Sequence, residues 1–361
     1  MMRIAYVGPL PPIPGGVAQH GAHLVDALRT MGHDVDAYSW ASQYPRRLYK
    51  GLRWDDNARP LSRTQFWLRW WDPVSWFRTG RAARSHDVAI VQWVTAFHGV
   101  QLAATLRTIA PVPTVCVVHN VIPHERLPLD LQLTRLALRQ ASHIVVHSAQ
   151  QLTELRALLP DAPAHQFPLP PHLGTQRATS PPVRPPLRLI QPGYVRPYKG
   201  VEVAIRGIRA YLDTHPGYAV ELTIVGDFWE PTADRVREMI DGLQLRAVVR
   251  VEDGYLSDDA LLARIAAHHA ALLPYTSATQ SGLIPAVLGA GRPVITTDVG
   301  GLAEQVRDGV DAILCPPNDP GALADAIETL ANGYEAFQHA AADRWTQDPW
   351  VSLATALLEL V

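Results

Sequence analysis

Arg196 and Lys199 stand three residues apart within GYVRPYKG (193–200), a stretch closed at both ends by glycine. An apolar run that reads as a buried strand (187–191) leads into it, and a helical pattern (201–211) follows. Gly193 and Gly200 let backbone come close to a ligand. An arginine and a lysine beside the start of a helix suit an anion with several oxygens, such as a diphosphate: the arginine can chelate two of them while the lysine acts as a mobile point charge. Cations already in place where a phosphate departs stabilise the transition state more than the ground state. The plainer alternative is a solvated basic turn, and the local sequence leaves both open.

Two other loops have similar character. GPLPPIPGGVAQH (8–20) brings Gly15 and Gly16 to the start of a helix expected over Val17–Met31, whose free N–H groups could hold an anion or a sugar hydroxyl. Its spacing is not G-x-G-x-x-G, so a nicotinamide cofactor is not expected. In TSATQSGLIPAVLGAGRPVITTDVGG (276–301), Ser281 and Gly282 precede a helix and would offer backbone donors to a second anion, or simply cap the helix. HNVIPHE (119–125) fits neither H-E-x-x-H nor a cysteine-based zinc pattern, so the 15 histidines carry no expectation of a metal site.

Residues 45–84 differ from the rest, with ten Lys or Arg against three Asp and five tryptophans. Trp67, Trp70, Trp71, Arg63 and Arg69 are its candidates for a binding surface or for peripheral contact with an anionic membrane, where cations meet headgroups and indoles settle at the boundary. Tryptophans packed in a core beneath solvated arginines, and tryptophans stacked on sugar rings, are the alternatives.

These loops need elements to hold them. Continuous apolar strands (RIAYVG, DVDAYSW, DVAIVQWV, PTVCVVH, HIVVHS, then LRLIQPG, VELTIVGD, AVVRVED, AALLPY, RPVITTD, DAILCPP) alternate with helix-length segments, implying an α/β fold of parallel sheets covered on both faces. The length of 361 residues suits two domains. The proline-rich stretch 160–186 reads as a linker between them, giving an N-terminal domain (1–180), a second domain (181–342) and a C-terminal helix (343–361) expected to pack back towards the first. A hydrophobic share of 47% with 18% charged residues describes an ordinary globular chain, and a net charge of −2 gives no reason to expect nucleic acid. Cys116 and Cys315 sit in apolar strands and read as buried thiols. No apolar run is long enough to span a bilayer and the chain starts on a strand, so a cytoplasmic protein is expected, at most peripheral to a membrane.

Taken in order, PGGVAQH, VVHN, GYVRPYKG, LTIVGD, ALLPYTSATQSGLIP, GRPVITTDVGGLAEQV and DGVDAILCPPNDPGALADAI resemble the retaining glycosyltransferases of family 4, which have the GT-B architecture of two doubly wound Rossmann-like domains. The resemblance covers the chain collinearly and is densest over 187–330. It implies transfer of a sugar from a nucleoside-diphosphate sugar, bound mainly by the second domain, to a hydroxyl acceptor of a surface glycan, lipid-linked glycan or natural product facing the first domain. There Trp67, Trp70, Trp71, Arg63 and Arg69 become the acceptor-side candidates. UDP or GDP is the nucleotide expected, and neither a tightly bound cofactor nor a required metal is. Arg196 and Lys199 match the pair on the donor diphosphate, Gly16 (beside Gly15) a glycine near the phosphate and sugar, and His119 a histidine that touches the transferred sugar. Tyr255 and Leu256 fall where the family holds the nucleobase through backbone atoms, and Gly226 and Asp227 mark a loop above the nucleotide. Gly193, Thr279, Gln280, Ser281, Gly282, Leu283 and Ile284 complete the donor-binding set.

One departure stands out. The family usually carries two glutamates separated by seven residues near the helix after Gly282, and here the first falls at Ala278, Thr279 or Gln280 and the second near Ala286. Without an obvious carboxylate nucleophile, the expected route is same-face substitution, in which the donor's own phosphate oxygen takes the acceptor proton. A catalytically degenerate sugar-nucleotide-binding partner and a sugar-nucleotide 2-epimerase are the competing readings.

Overall fold

The computed structural model of the chain describes all residues except 46–52, 57, 123–127, 172–180, 218, 229–231, 255, 279 and 346. It forms two units, Met1–His172 with Gln347–Val361, and Leu173–Thr346. The sequence reading set these breaks at 180 and 342.

In the first unit the strands are β1 (Arg3–Val7), β2 (Asp34–Ser42), β3 (Thr64–Arg69), β4 (Val88–Trp93), β5 (Thr114–Val118), β6 (His143–Val146) and β7 (Ala164–Gln166). All pair in parallel, in the order β3-β2-β1-β4-β5-β6-β7. Helices α1 (Gly16–Thr30), α2 (Pro73–Ala83), α3 (Gly99–Ile109), α4 (Asp130–Leu138) and α5 (Ala149–Leu158) connect them. Every residue of β4 and β5 is buried, as expected of inner strands covered on both faces. Two strands escaped the sequence reading. β3 lies in the basic, aromatic segment, and β7 in the stretch taken as linker, where it closes the edge of the sheet.

The second unit repeats the winding. Its strands β8 (Leu187–Pro192), β9 (Val220–Gly226), β10 (Val249–Asp253), β11 (Ala270–Leu273), β12 (Val294–Thr297) and β13 (Ala312–Cys315) form a parallel sheet in the order β10-β9-β8-β11-β12-β13. Helices α6 (Val201–Thr214), α7 (Thr232–Gly242), α8 (Asp258–Ala266), α9 (Leu283–Gly289) and α10 (Pro320–Ala342) accompany it. The last helix, α11 (Pro349–Leu358), returns to the first unit. Its Trp350, Leu353, Ala354 and Leu357 join Ile4, Tyr6, Leu24 and Leu28 in one buried cluster.

Helix starts follow their sequences. Asp72, Asp319 and Asp348 each accept a backbone N–H in the first turn of α2, α10 and α11, with proline at the first helical position. Cys116 and Cys315 are free and buried; burial pushes their thiols up to about 12 and about 11.

An ion cluster around a buried carboxylate lies at the β13 edge of the second unit. Wholly buried Asp311 accepts from Arg307 Nε and Arg344 Nη1, both at 2.6 Å, which ties the approach to β13 to the chain beyond α10. Removing one member of a buried ion pair leaves an uncompensated charge. Asp311→Ala is therefore expected to destabilise this unit by about 3 kcal/mol in urea unfolding; a change within experimental error would show that the arginines find water instead.

Candidate functional site

Where strand order reverses in a doubly wound sheet, the loops after the two strands leave to opposite faces and a crevice opens at their carboxyl ends. The reversal lies between β1 and β4 in the first unit, and between β8 and β11 in the second.

In the second unit the GYVRPYKG turn leaves β8 at this point. Gly193 has φ +97° and Gly226, ending β9, has φ +144°. A Cβ on Gly226 would come within 2.0 Å of the Gly193 carbonyl oxygen, so the two loops pack backbone on backbone. A Cβ on Gly200 (φ +68°) would meet the Pro274 carbonyl at 1.8 Å. This close approach sets the Lys199 turn against the end of β11. Lys199 Nζ donates to the Tyr275 hydroxyl at 2.6 Å and lies 4.1 Å from its ring centre. The bond spans the strand reversal.

The polar chain continues from Tyr275. Its hydroxyl is 2.9 Å from Ser281 Oγ, and the Ser281 backbone N–H donates to Gln305 Oε1 at 2.9 Å while Gln305 Nε2 returns a bond to the Ser281 carbonyl at 3.0 Å. The sequence left Ser281 to present its N–H to an anion or to cap the helix. Gln305 occupies that N–H, and Ser281 Oγ accepts from Leu283 N at 3.3 Å. Lys199 makes no ion pair with a carboxylate among the described residues.

The other donor-side candidates are distributed around this chain. Arg196 directly precedes the 3₁₀ turn Pro197–Lys199, is half-buried, and has its guanidinium 5.8 Å from the Tyr194 ring. Asp227 contributes its carbonyl to Val195 N at 2.9 Å. Leu283 packs where a Cβ on Gly193 would be, 3.0 Å from its Cδ1. Ile284 is wholly buried in the core, which leaves only its backbone to a ligand, and Leu256 packs partly buried against the same cluster. Gly282 and Gln280 are half-buried beside Ser281. Tyr255 and Thr279 lie outside the described residues.

In the first unit, Gly15 (φ +115°) and Gly16 are exposed at the start of α1. Nothing lies within 4 Å of a Cβ built on Gly15, so backbone conformation rather than crowding asks for glycine there. His119 follows β5 and belongs to a group the sequence reading did not assemble. Its ring centre is 4.7 Å from His20 and 5.7 Å from His147, and His20 meets Trp350 at 4.9 Å. The Gln92 amide on β4 donates to His20 Nδ1 at 2.8 Å, a second bond across a strand reversal. Gln151 Nε2 donates to the His119 carbonyl at 2.6 Å, and its Oε1 accepts from His147 N at 3.1 Å. His147 Nδ1 donates to the Phe167 carbonyl at 3.0 Å, which makes Nε2 the unprotonated nitrogen of a neutral ring. Among the described residues no group of three His, Cys, Asp or Glu is placed to hold a metal ion.

Beside Gly15 and Gly16 lies a pocket of about 640 Å³, also lined by Trp40, Trp54, Trp70 and Trp71. Of the acceptor-side candidates, Trp70 and Trp71 line it. Arg63 does not. It pairs with Asp34 and Asp36 at the amino ends of β2 and β3, some 20 Å of strand away from Trp70. Trp67 lies under the Arg78 guanidinium, 3.8 Å from its ring centre, and packs on the core. Arg69 uses its backbone to hold Ser75 and Trp76, with its side chain exposed.

Comparison with known proteins agrees with this geometry. Residues 14–169 match the family described as Glycosyltransferase Family 4, and residues 187–333 match Glycosyl transferases group 1. A glycogen synthase of Mycobacterium tuberculosis is 27% identical, the match covering 99% of this chain and 94% of that protein. Among solved structures, a sucrose-phosphate synthase of Thermosynechococcus elongatus superposes with a TM-score of 0.69 at 17% identity, covering 100% and 98% of the two chains. The Anabaena protein HepE in complex with UDP superposes with a TM-score of 0.67 at 17% identity, covering 99% and 97%. These likenesses, with the two parallel sheets, establish the GT-B fold.

The histidines of the first unit make its stability depend on acid. Burial lowers His147 from 6.5 to about 4, against the raising effect of its bond to Phe167; burial does the same to His98, bonded to the Gln43 carbonyl. The unfolded chain takes up protons near pH 6.5 that the fold refuses down to about 4, so their contribution is complete above about pH 6.5 and is lost as pH falls to and through 4. The expected loss over that window is on the order of 3 kcal/mol per ring, read by urea unfolding. His147→Gln should shallow the slope; a wild-type stability flat across this range would contradict it.

Proposed function

We propose that this chain, which belongs to the family 4 type of GT-B glycosyltransferases, transfers a sugar from a nucleoside-diphosphate sugar to a hydroxyl acceptor with retention of anomeric configuration. The observation that carries the donor half is the Lys199 ammonium, hydrogen-bonded to a neutral phenol at the strand reversal with no carboxylate partner among the described residues. A pyrophosphate supplies the missing negative charge. Arg196, on the same turn, adds a guanidinium suited to two phosphate oxygens. UDP or GDP is the expected nucleotide, and HepE, which shares the fold, has been solved with UDP. The relative named glycogen synthase supports a glycan as the product.

In the proposed reaction the bond from the anomeric carbon to the diphosphate breaks as the acceptor oxygen arrives on the same face. The acceptor proton passes to the departing phosphate oxygen, and Arg196 and Lys199 stabilise the charge left there. His119, among neutral rings, orients the sugar rather than removing a proton. Tyr275 and Ser281 position Lys199. If the membrane has a part, Trp70, Trp71 and Arg69 remain to contact it, because Arg63 and Trp67 are engaged within the fold.

The missing glutamate pair favours a second reading, a sugar-nucleotide-binding partner without turnover. Nucleotide release with and without acceptors separates the two. A thermal-shift panel of UDP-, GDP-, TDP- and ADP-sugars identifies the donor, a ligand at about 100 times its dissociation constant raising stability by roughly 2.7 kcal/mol. Lys199→Ala or Arg196→Ala should lower kcat/KM about 100-fold or more in a folded protein, and Tyr275→Phe about tenfold. NMR of the product's anomeric proton should show the donor's configuration. Unchanged turnover in both cation variants would defeat the proposal, and binding without release under every acceptor would favour the second reading.

A further inference from the structure

The pocket of about 640 Å³ beside Gly15 and Gly16 has room for more than a compact single-ring ligand, and five flat rings are among the residues that line it. Trp40 is buried in its floor, while Tyr44, Trp54, Trp70 and Trp71 come from chain near the carboxyl ends of β2 and β3. The rings continue outwards: Trp71 stands 5.4 Å from Trp70, and Phe97 stands 5.8 Å from both Trp70 and Tyr44. Trp71 is 52% exposed and Phe97 40%. Large rings left in water in a row, continuous with a pocket, mark a surface shaped for an apolar cover.

The cover is not wholly apolar. Ser42, Gln43 and Arg53 are interleaved with the rings along the same wall. A flat face bordered by hydrogen-bonding groups complements a pyranose, whose C–H faces are apolar and whose hydroxyls lie at its edge; the negative π face of an indole attracts those C–H groups. A single small polyol would leave Trp71 and Phe97 uncovered. An aryl aglycone would cover rings but bring no hydroxyls to the hydrogen-bonding groups of this wall. The glycine turn opens into the same pocket at the carboxyl end of β1, a strand of the reversal, where ligands of such sheets bind.

We infer that this pocket holds the acceptor, and that the acceptor is the end of an oligosaccharide of at least two rings; the assignment rests on the transferase reading above. The test is titration of the full chain, without donor, followed by tryptophan fluorescence. The probes are maltotriose, cellotriose and chitotriose, set against glucose, myo-inositol and phenyl β-glucoside. At least one trisaccharide should bind saturably, on the order of tenfold tighter than glucose or myo-inositol. Trp71→Ala, which truncates a half-exposed side chain, and Trp70→Ala should each weaken it about tenfold, or 1.4 kcal/mol, and Trp70→Phe should restore part of the loss. Failure of every trisaccharide to bind, tighter binding of phenyl β-glucoside or myo-inositol, or equal affinity in the alanine variants overturns the inference. Sugar-nucleotide binding, followed by thermal shift on the same proteins, keeps the two readings apart: trisaccharide binding without nucleotide binding would remove the transferase reading and leave an oligosaccharide site that serves no transfer, and the reverse would remove only this inference.

Discussion

A lysine ammonium held by a tyrosine hydroxyl, at the place where strand order turns back on itself, organises the second unit. Lys199 comes from the loop after β8 and Tyr275 from the end of β11, the two strands of the reversal. The chain can bring them together because Gly200, in a left-handed conformation, lies against the Pro274 carbonyl, where any side chain would collide. Both partners are anchored. Gln191 donates to the Lys199 carbonyl at 2.8 Å, and Thr297 donates to the Tyr275 carbonyl at 2.6 Å. Such preorganisation means that little has to move when an anion arrives, which is where electrostatic stabilisation gains most of its effect.

The glutamates absent from the loop before α9 take on a physical meaning beside this bond. A carboxylate near Lys199 would form an ion pair in the empty site, and an incoming diphosphate would have to compete with it. Tyr275, Ser281 and Gln305 are neutral, satisfy one another, and leave the lysine's charge uncompensated among the described residues. At short range and outside bulk water, an unpaired cation exerts a strong field on a dianion. Residues 276–291 hold no carboxylate, so this loop lacks the capacity to accept from hydroxyl groups that a glutamate would give it.

How much of this was legible in the sequence depended on the kind of signal. The inner strands were plain because burial on both faces makes them continuous apolar runs, as in β4, β5, β11 and β12. β3 was hidden because an edge strand such as TQFWLR buries only Leu68 fully, and β7 because three residues among prolines carry no periodicity. The glycine loops and Arg196 and Lys199 were legible as types and spacing. Their partners were not. Tyr275 and Gln305 reach Lys199 and Ser281 from 76 and 24 residues away, and His20, His119 and His147 gather from three separate connections. For Tyr275 the one local hint is its place directly after the apolar run AALLP. The placing of Arg63 and Trp67 was hidden for a related reason: composition marked the segment, but only the parallel register of β2 and β3 tells that Arg63 and Trp70 stand at opposite ends of a strand.

The same winding is used twice with opposite electrostatics. In the second unit the reversal is bridged by a cation, and in the first by a neutral imidazole, His20, accepting from Gln92. In the first unit burial drives His147 down to about 4, and α11 lays Trp350 against His20. Trp350 is itself fixed, its Nε1 donating to the Pro171 carbonyl at 3.0 Å. A neutral surface of imidazoles and indoles cannot compensate a phosphate, but it can meet a sugar on both its apolar face and its hydroxyl edge. A cationic turn does the reverse. The contrast between the two reversals follows from the residues that each sheet places there, and it requires no difference in winding between them.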